Sequence, residues 1–334
     1  MNEPATIRWR RRAKTIPAML GVTALAVAAA PVALPALAGV DIVRGRRRLP
    51  MARCHLFALQ YVVNDSVEIV LAPLYWVMAG FGLRLGSNGS IARHQRLQRW
   101  SVRVLERRAE QLLGLRIEVS EQDRRALDGD GQRPVIAISR HVSLFDASLP
   151  GLLFDRIGRQ PRGIIMAELL ADPGFDLLYG RLGSVFISRE GGEKARRAIA
   201  AMVAGADQRT AYVVFPEGRL FRPSVRDRAL ERLASSNPER AGRLGGLHHL
   251  LPPRPGGLLA LLDAVPDADV VVIDHRGLDD HRRLADFASA APLTEPITVS
   301  VRRIERADIP ADHGDRVRWL DDLWLELDRG LAGD

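Results

Sequence analysis

The sequence predicts an α/β fold: a mixed, mostly parallel sheet flanked by helices, preceded by an N-terminal membrane-associated helical region. Three observations carry that expectation. From residue 115 onward, short β-branched and apolar runs alternate with helical patterns, as strands covered on both faces by crossover helices do. The first ninety residues contain two long apolar stretches instead. With 334 residues, 47% hydrophobic and 26% charged, the chain has enough apolar side chains for a full core, which argues against bulk disorder.

The elements follow in order. Thr15 to Val40 carries no charge and is long enough to cross a hydrocarbon core of about 30 Å as a helix. Pro31 and Pro35 interrupt it, so a kinked span and a re-entrant hairpin both fit. A secretory signal with Ala36-Leu37-Ala38 as its cleavage site is the rival reading. A second apolar segment runs from Leu56 to Leu83 but includes Asn64, Asp65, Ser66 and Glu68. Ionised groups at mid-bilayer cost about 2.5–3.5 kcal/mol each on insertion scales, so this segment packs against the first run or lies partly in the interface. A buried helix of the core is the plainer alternative. The expected organisation is a membrane-anchoring region, residues 1–90, with segments at about 15–40 and 56–83, and an α/β domain at residues 91–334. Residues 82–89 read as a linker, and Ile91 to Leu113 as a basic amphipathic helix stopped by Gly114.

In the second region, strands are expected at residues 115–119, 134–138, 163–167, 185–187, 211–215, 270–273 and 297–301. Helices are expected at residues 146–153, 174–182, 193–206 and 315–331. The last carries Val317, Leu320, Trp324 and Leu327 along one stripe.

Charge narrows the partners. The net charge is +8, and Arg supplies nearly all of the basic residues, with Lys14 and Lys194 the only lysines. Arg8, Arg10, Arg11, Arg12 and Lys14 border one end of the first apolar run, and Arg44, Arg46, Arg47 and Arg48 the other. Basic clusters abutting apolar runs favour anionic lipid over nucleic acid. Aromatic content is 5%, too sparse for base-stacking platforms. The single cysteine, Cys54, rules out an intrachain disulfide and a cysteine-based metal cluster. No metal and no resident cofactor is expected.

The chemistry is expected where strands end in polar residues: Ser139-Arg140-His141, Ser188-Arg189 and Pro216-Glu217-Gly218-Arg219. Such ends share a crevice in an α/β sheet, which would gather a base, guanidiniums, a carboxylate and a glycine. His141 leaves its strand and Asp146 opens the following helix, so the carboxylate can hold one imidazole nitrogen while the other accepts a proton. The bare His-x4-Asp pattern is weak, because His275/Asp280 and His281/Asp286 repeat it. Those two histidines read as structural. Arg189 suits a phosphate, since its planar fork matches phosphate oxygens. Gly218 lets a backbone N–H approach a ligand. Glu217 either orients a hydroxyl or pins an arginine. Ser143 as a nucleophile is disfavoured, because a triad needs its three members on separate supports.

Together these blocks resemble those of the glycerolipid acyltransferases, the 1-acylglycerol-3-phosphate O-acyltransferase family. The segment from His248 to Gly257 is similar to a fourth block of the membrane-bound branch, and Arg302 to Pro310 with Trp319 to its C-terminal pattern. The resemblance implies transfer of a fatty acyl group from acyl-CoA or acyl carrier protein, as co-substrate, to the free hydroxyl of a lysophospholipid. His141 would be the base, with no acyl-enzyme. It also implies a membrane location, taken as the cytoplasmic membrane with the site on its cytoplasmic side. The sequence departs from the family at Arg140, usually Asn, and at Glu217-Gly218-Arg219-Leu220-Phe221-Arg222, usually Glu-Gly-Thr-Arg. Whether Arg219 or Arg222 meets the phosphate is therefore open.

Overall fold

The computed structural model describes residues 3–188, 191–204 and 206–332. Their packing divides into two compact units that interleave along the chain. Residues 1–117, 165–188 and 283–297 form the first, and residues 118–164, 189–282 and 298–334 the second.

The first unit is mainly helical. Helix α1 is Ala5–Val43, α2 is Pro50–Met78 and α3 is Asn88–Arg108. The prolines expected to interrupt the first run do not end it. Pro17, Pro31 and Pro35 all lie inside α1. At 1.5 Å per residue α1 is about 58 Å long. It is long and apolar enough to cross a membrane by length and composition, and its apolar stretch is almost unburied. The α1–α2 turn has a local cause. Asp41, fully buried, accepts N–H bonds from Met51 and Ala52 at 2.9 and 3.2 Å and so satisfies orphan donors at the start of α2. Pro50 at the first helical position adds to this, so α2 starts six residues before the expected Leu56.

Of the polar residues of α2, Ser66 packs on α1 as the sequence suggested, donating to the Thr23 hydroxyl at 2.8 Å, whereas Asn64, Asp65 and Glu68 are buried against other segments. Asn64 donates to the Ser101 hydroxyl and carbonyl of α3 at 2.6 and 3.2 Å. Asp65 and Glu68 lie over Gly174, where an added Cβ would fall 2.0 Å from Asp65 Oδ1. Tyr61 donates to Asp172 at 2.6 Å. The helix expected near Gly174 to Leu182 is a single π-type turn, Phe175–Tyr179.

The sheet has seven strands: β1 (Ile117–Val119), β2 (Val135–Ser139), β3 (Gln160–Met166), β4 (Val185–Ile187), β5 (Thr210–Val214), β6 (Asp269–Arg276) and β7 (Ile297–Ile304). Their order is β1-β7-β6-β2-β5-β3-β4. β2 runs parallel to both its neighbours, β5 and β6, and β3 is parallel to β5. β7 is antiparallel to β6, so the sheet is mixed and mostly parallel. β2 and β5 are buried at every position, which explains their unbroken apolar patterns. Helices at Glu121–Asp128, Pro223–Ser236, Pro238–Leu244, Pro255–Ala264 and Leu284–Ala290 have no counterpart among the expected elements. The last helix, His313–Leu331, buries Leu320, Leu323 and Trp324. Its Asp328 accepts the N–H groups of His248, His249 and Leu250 at 2.7–2.9 Å.

Candidate active site

Register alone brings three side chains level. Ser139 of β2 pairs with Ile273 of β6, and Ile138 pairs with Val214 of β5. Carried past the strand ends, that alignment sets His141 beside Glu217 on one side and His275 on the other. The row lies at the carboxyl ends of three adjacent parallel strands, where open α/β sheets place ligands.

His141 Nδ1 lies 2.6 Å from Asp146 Oδ1. The His141 side chain is 18% exposed and Asp146 is fully buried. Asp146 opens a short helical turn, and its other oxygen accepts the N–H groups of Val142 and Ser143 at 2.6 and 2.8 Å. The carboxylate thus closes the loop that starts at His141 and orients the ring. Burial pushes the Asp146 carboxyl up, but hydrogen bonds and charges from His141 and His275 outweigh it, leaving the pKa at about 2. Among the described residues no group bonds His141 Nε2. Phe215 packs beside the ring, with centroids 4.7 Å apart.

Glu217 is fixed by backbone alone. Its Oε1 accepts from His141 N–H at 2.7 Å and its Oε2 from Leu251 N–H at 2.9 Å. The carboxyl therefore holds the backbone of His141 and, of the two roles the sequence left open, makes no hydrogen bond to an arginine among the described residues. Burial raises its pKa to about 8, against the lowering effect of those two N–H groups. Phe221 N–H donates to the His141 carbonyl at 2.7 Å, so the loop from Phe215 to Phe221 grips His141 on both backbone sides.

Gly218 has φ +63°, and a Cβ there would meet Arg254 Cδ at 3.4 Å. The requirement is thus conformational more than steric. Gly218→Ala is expected to cost about 1–2 kcal/mol, read as a lower melting temperature; an unchanged melting temperature would show that the loop does not need this conformation.

The expected arginines fare differently. Arg189 lies outside the described residues. Arg219 is half-buried, and its buried Nε has no hydrogen-bond partner among the described residues. Arg222 is exposed at the start of the Pro223–Ser236 helix. Arg140, expected in the crevice, is 1% exposed and turned toward β6. It donates to the His275 carbonyl at 2.9 Å, lies 3.8 Å from Asp274 and pairs with Asp279. A guanidinium with acidic partners at the end of the next strand satisfies itself there rather than in the open crevice. Ser143 is buried, donates its hydroxyl to the His281 carbonyl at 2.6 Å and accepts from Phe145 N–H at 3.2 Å.

The sequence reading missed His275, whose Nε2 lies 3.4 Å from Asp146 Oδ2 with both side chains fully buried. Its own His-x4-Asp pattern pointed to Asp280. Only the β2–β6 pairing reveals Asp146 as the carboxylate it faces.

The segment that carries this oriented imidazole is matched by the family model described as acyltransferase, over residues 116–273. The match covers a little under half of the chain. No curated protein and no solved structure matches the chain.

Proposed function

We propose that the protein moves a fatty acyl group from acyl-CoA or acyl carrier protein to the free hydroxyl of a lysophospholipid, in the first instance 1-acylglycerol-3-phosphate, giving phosphatidic acid. The observation that carries the reading is the 2.6 Å contact between His141 Nδ1 and Asp146, with Nε2 left without a partner among the described residues. In this reading Nε2 takes the acceptor's hydroxyl proton as its oxygen attacks the thioester carbonyl. The carbon–sulfur bond breaks, and the imidazolium returns the proton to the departing thiolate. A base in hydrogen-bond reach contributes roughly 10²–10⁴-fold, and holding two lipid substrates together adds to that. No acyl-enzyme is required, and the buried, doubly bonded Ser143 hydroxyl is poorly placed to form one.

Arg219, with an unsatisfied Nε beside Gly218, is the proposed phosphate contact; Arg189 and Arg222 remain proposed contributors on sequence grounds. The apolar α1 and its basic ends support a membrane location, and the cytoplasmic face is proposed for the site. The test is labelled acyl-CoA with membranes containing the protein and a panel of lysophospholipids. Acyl transfer to lysophosphatidic acid ahead of other headgroups is expected. Preference for another lysophospholipid would move the acceptor assignment. Free fatty acid released without an acceptor would favour a hydrolase, and no turnover of any kind a lipid-binding member of the fold.

A further inference from the structure

Asp146 is shared. One oxygen meets His141, and the other faces His275 from the neighbouring strand β6 at 3.4 Å. His275 is held firmly in that position. Its carbonyl accepts from Arg140 at 2.9 Å, its N–H is bonded to Asp274 at 2.8 Å, and its ring is fully buried. Neither ring nitrogen has a hydrogen-bond partner among the described residues, and Nε2 is the one that faces the carboxylate, at 3.4 Å. A ring proton on Nε2 would face the Asp146 carboxylate, whereas one on Nδ1 would face no acceptor among the described residues. Packing alone does not account for an imidazole here. A leucine would fill the space without leaving a buried ring nitrogen unsatisfied, and such a nitrogen carries a desolvation cost.

We propose that His275 is a positioning residue for the same reaction: a second imidazole on Asp146 that keeps the carboxylate aligned with His141 and draws part of its charge away from that ring. This rests on His141 acting as the base. Its physical content is a competition. Each N–H facing Asp146 reduces the charge felt by His141, so the two imidazoles compete for one carboxylate. Removing the Nε2 donor strengthens the Asp146–His141 interaction, and His141 then holds its proton to higher pH. The other charged groups near the cluster are Glu217 from the β5 loop, Arg140 at the end of β2, and Asp274 and Asp279 at the end of β6. None is altered by substitution at His275, so they form a common background.

The experiment compares His275→Leu with His275→Gln in the full-length protein in lipid nanodiscs. The His141 ring is titrated by NMR, its signal assigned by its loss in His141→Ala. His275→Leu is expected to raise the His141 midpoint by about half a pH unit. Glutamine can place an amide N–H near the Nε2 position and is expected to restore the wild-type midpoint. Equal midpoints in wild type and His275→Leu would overturn the proposal, as would equal shifts in both variants. If His275→Leu does not fold, His275→Asn replaces it, since its shorter amide falls short of Asp146; equal midpoints in His275→Asn and His275→Gln would then overturn it. In parallel, the acidic limb of kcat/KM should follow the titration, with kcat down roughly tenfold in His275→Leu and KM little changed. Absence of acyl transfer in the wild type would sink the proposed function and leave the titration to decide the role of His275.

Discussion

His141→Ala is expected to lower kcat for acyl transfer by roughly 10²–10⁴-fold while the protein stays folded and membrane-bound. The fold should survive because His141 is anchored through its backbone. Glu217 takes its N–H and Phe221 donates to its carbonyl, and neither bond involves the ring. The ring is also partly exposed, so its removal leaves little buried volume behind. Asp146 loses one partner but keeps the N–H groups of Val142 and Ser143. Substituting Asp146 is less clean, since the same carboxylate builds the loop. The measurement is acyl transfer beside a melting curve and membrane flotation. Activity retained in a folded His141→Ala protein would refute the assignment of the base.

The second large effect is a fall in stability as pH rises, caused by Glu217. Its pKa is raised from the ordinary 4.5 to about 8 by burial. For a carboxyl shifted upward, the native state holds a proton that the unfolded chain has lost. The stabilisation is therefore complete below about pH 4.5 and declines up to about pH 8, with a slope approaching 1.4 kcal/mol per pH unit for one proton. Asp146 works the other way and matters only as pH falls toward 2. Glu217→Gln cannot ionise, so its stability should be flat across the window in which the wild type declines. It should also be less stable at pH 5 by about 1–3 kcal/mol, because its amide N–H₂ must face a backbone N–H of His141 or Leu251. Melting temperatures of both proteins from pH 5 to 9 decide the matter. A wild-type curve parallel to that of Glu217→Gln would mean that Glu217 is already ionised in the native state.

The sheet was legible because its central strands are buried on both faces. Val135 to Ile138 and Ala211 to Val214 leave no polar position to confuse the pattern. The His141–Asp146 contact was legible because both partners lie on one short loop. Other features depend on pairing that periodicity does not encode. His275 joins the site because β6 lies beside β2 in parallel, and Arg140 turns away because β6 brings Asp274 and Asp279 within reach. For Glu217 the sequence offered a hydroxyl or an arginine as partner, and it could not show that Leu251 and His141 supply backbone donors from two distant segments. In the first unit, Pro31 and Pro35 left a kinked span and a re-entrant hairpin open; α1 continues through them as one helix, as a long helix can by giving up single backbone bonds. The acids of α2 left packing on the first run, the membrane interface and a buried helix all open, because nothing in the sequence indicates that Ser101 and Gly174 pack against that face.

Asp328 gathers the N–H groups of His248, His249 and Leu250, the next residue Leu251 bonds Glu217, and Glu217 bonds His141. The loop around His141 is thus tied, through two backbone segments, to a carboxylate on the final helix, so loosening that helix would loosen the ring's support from the far side of the sequence.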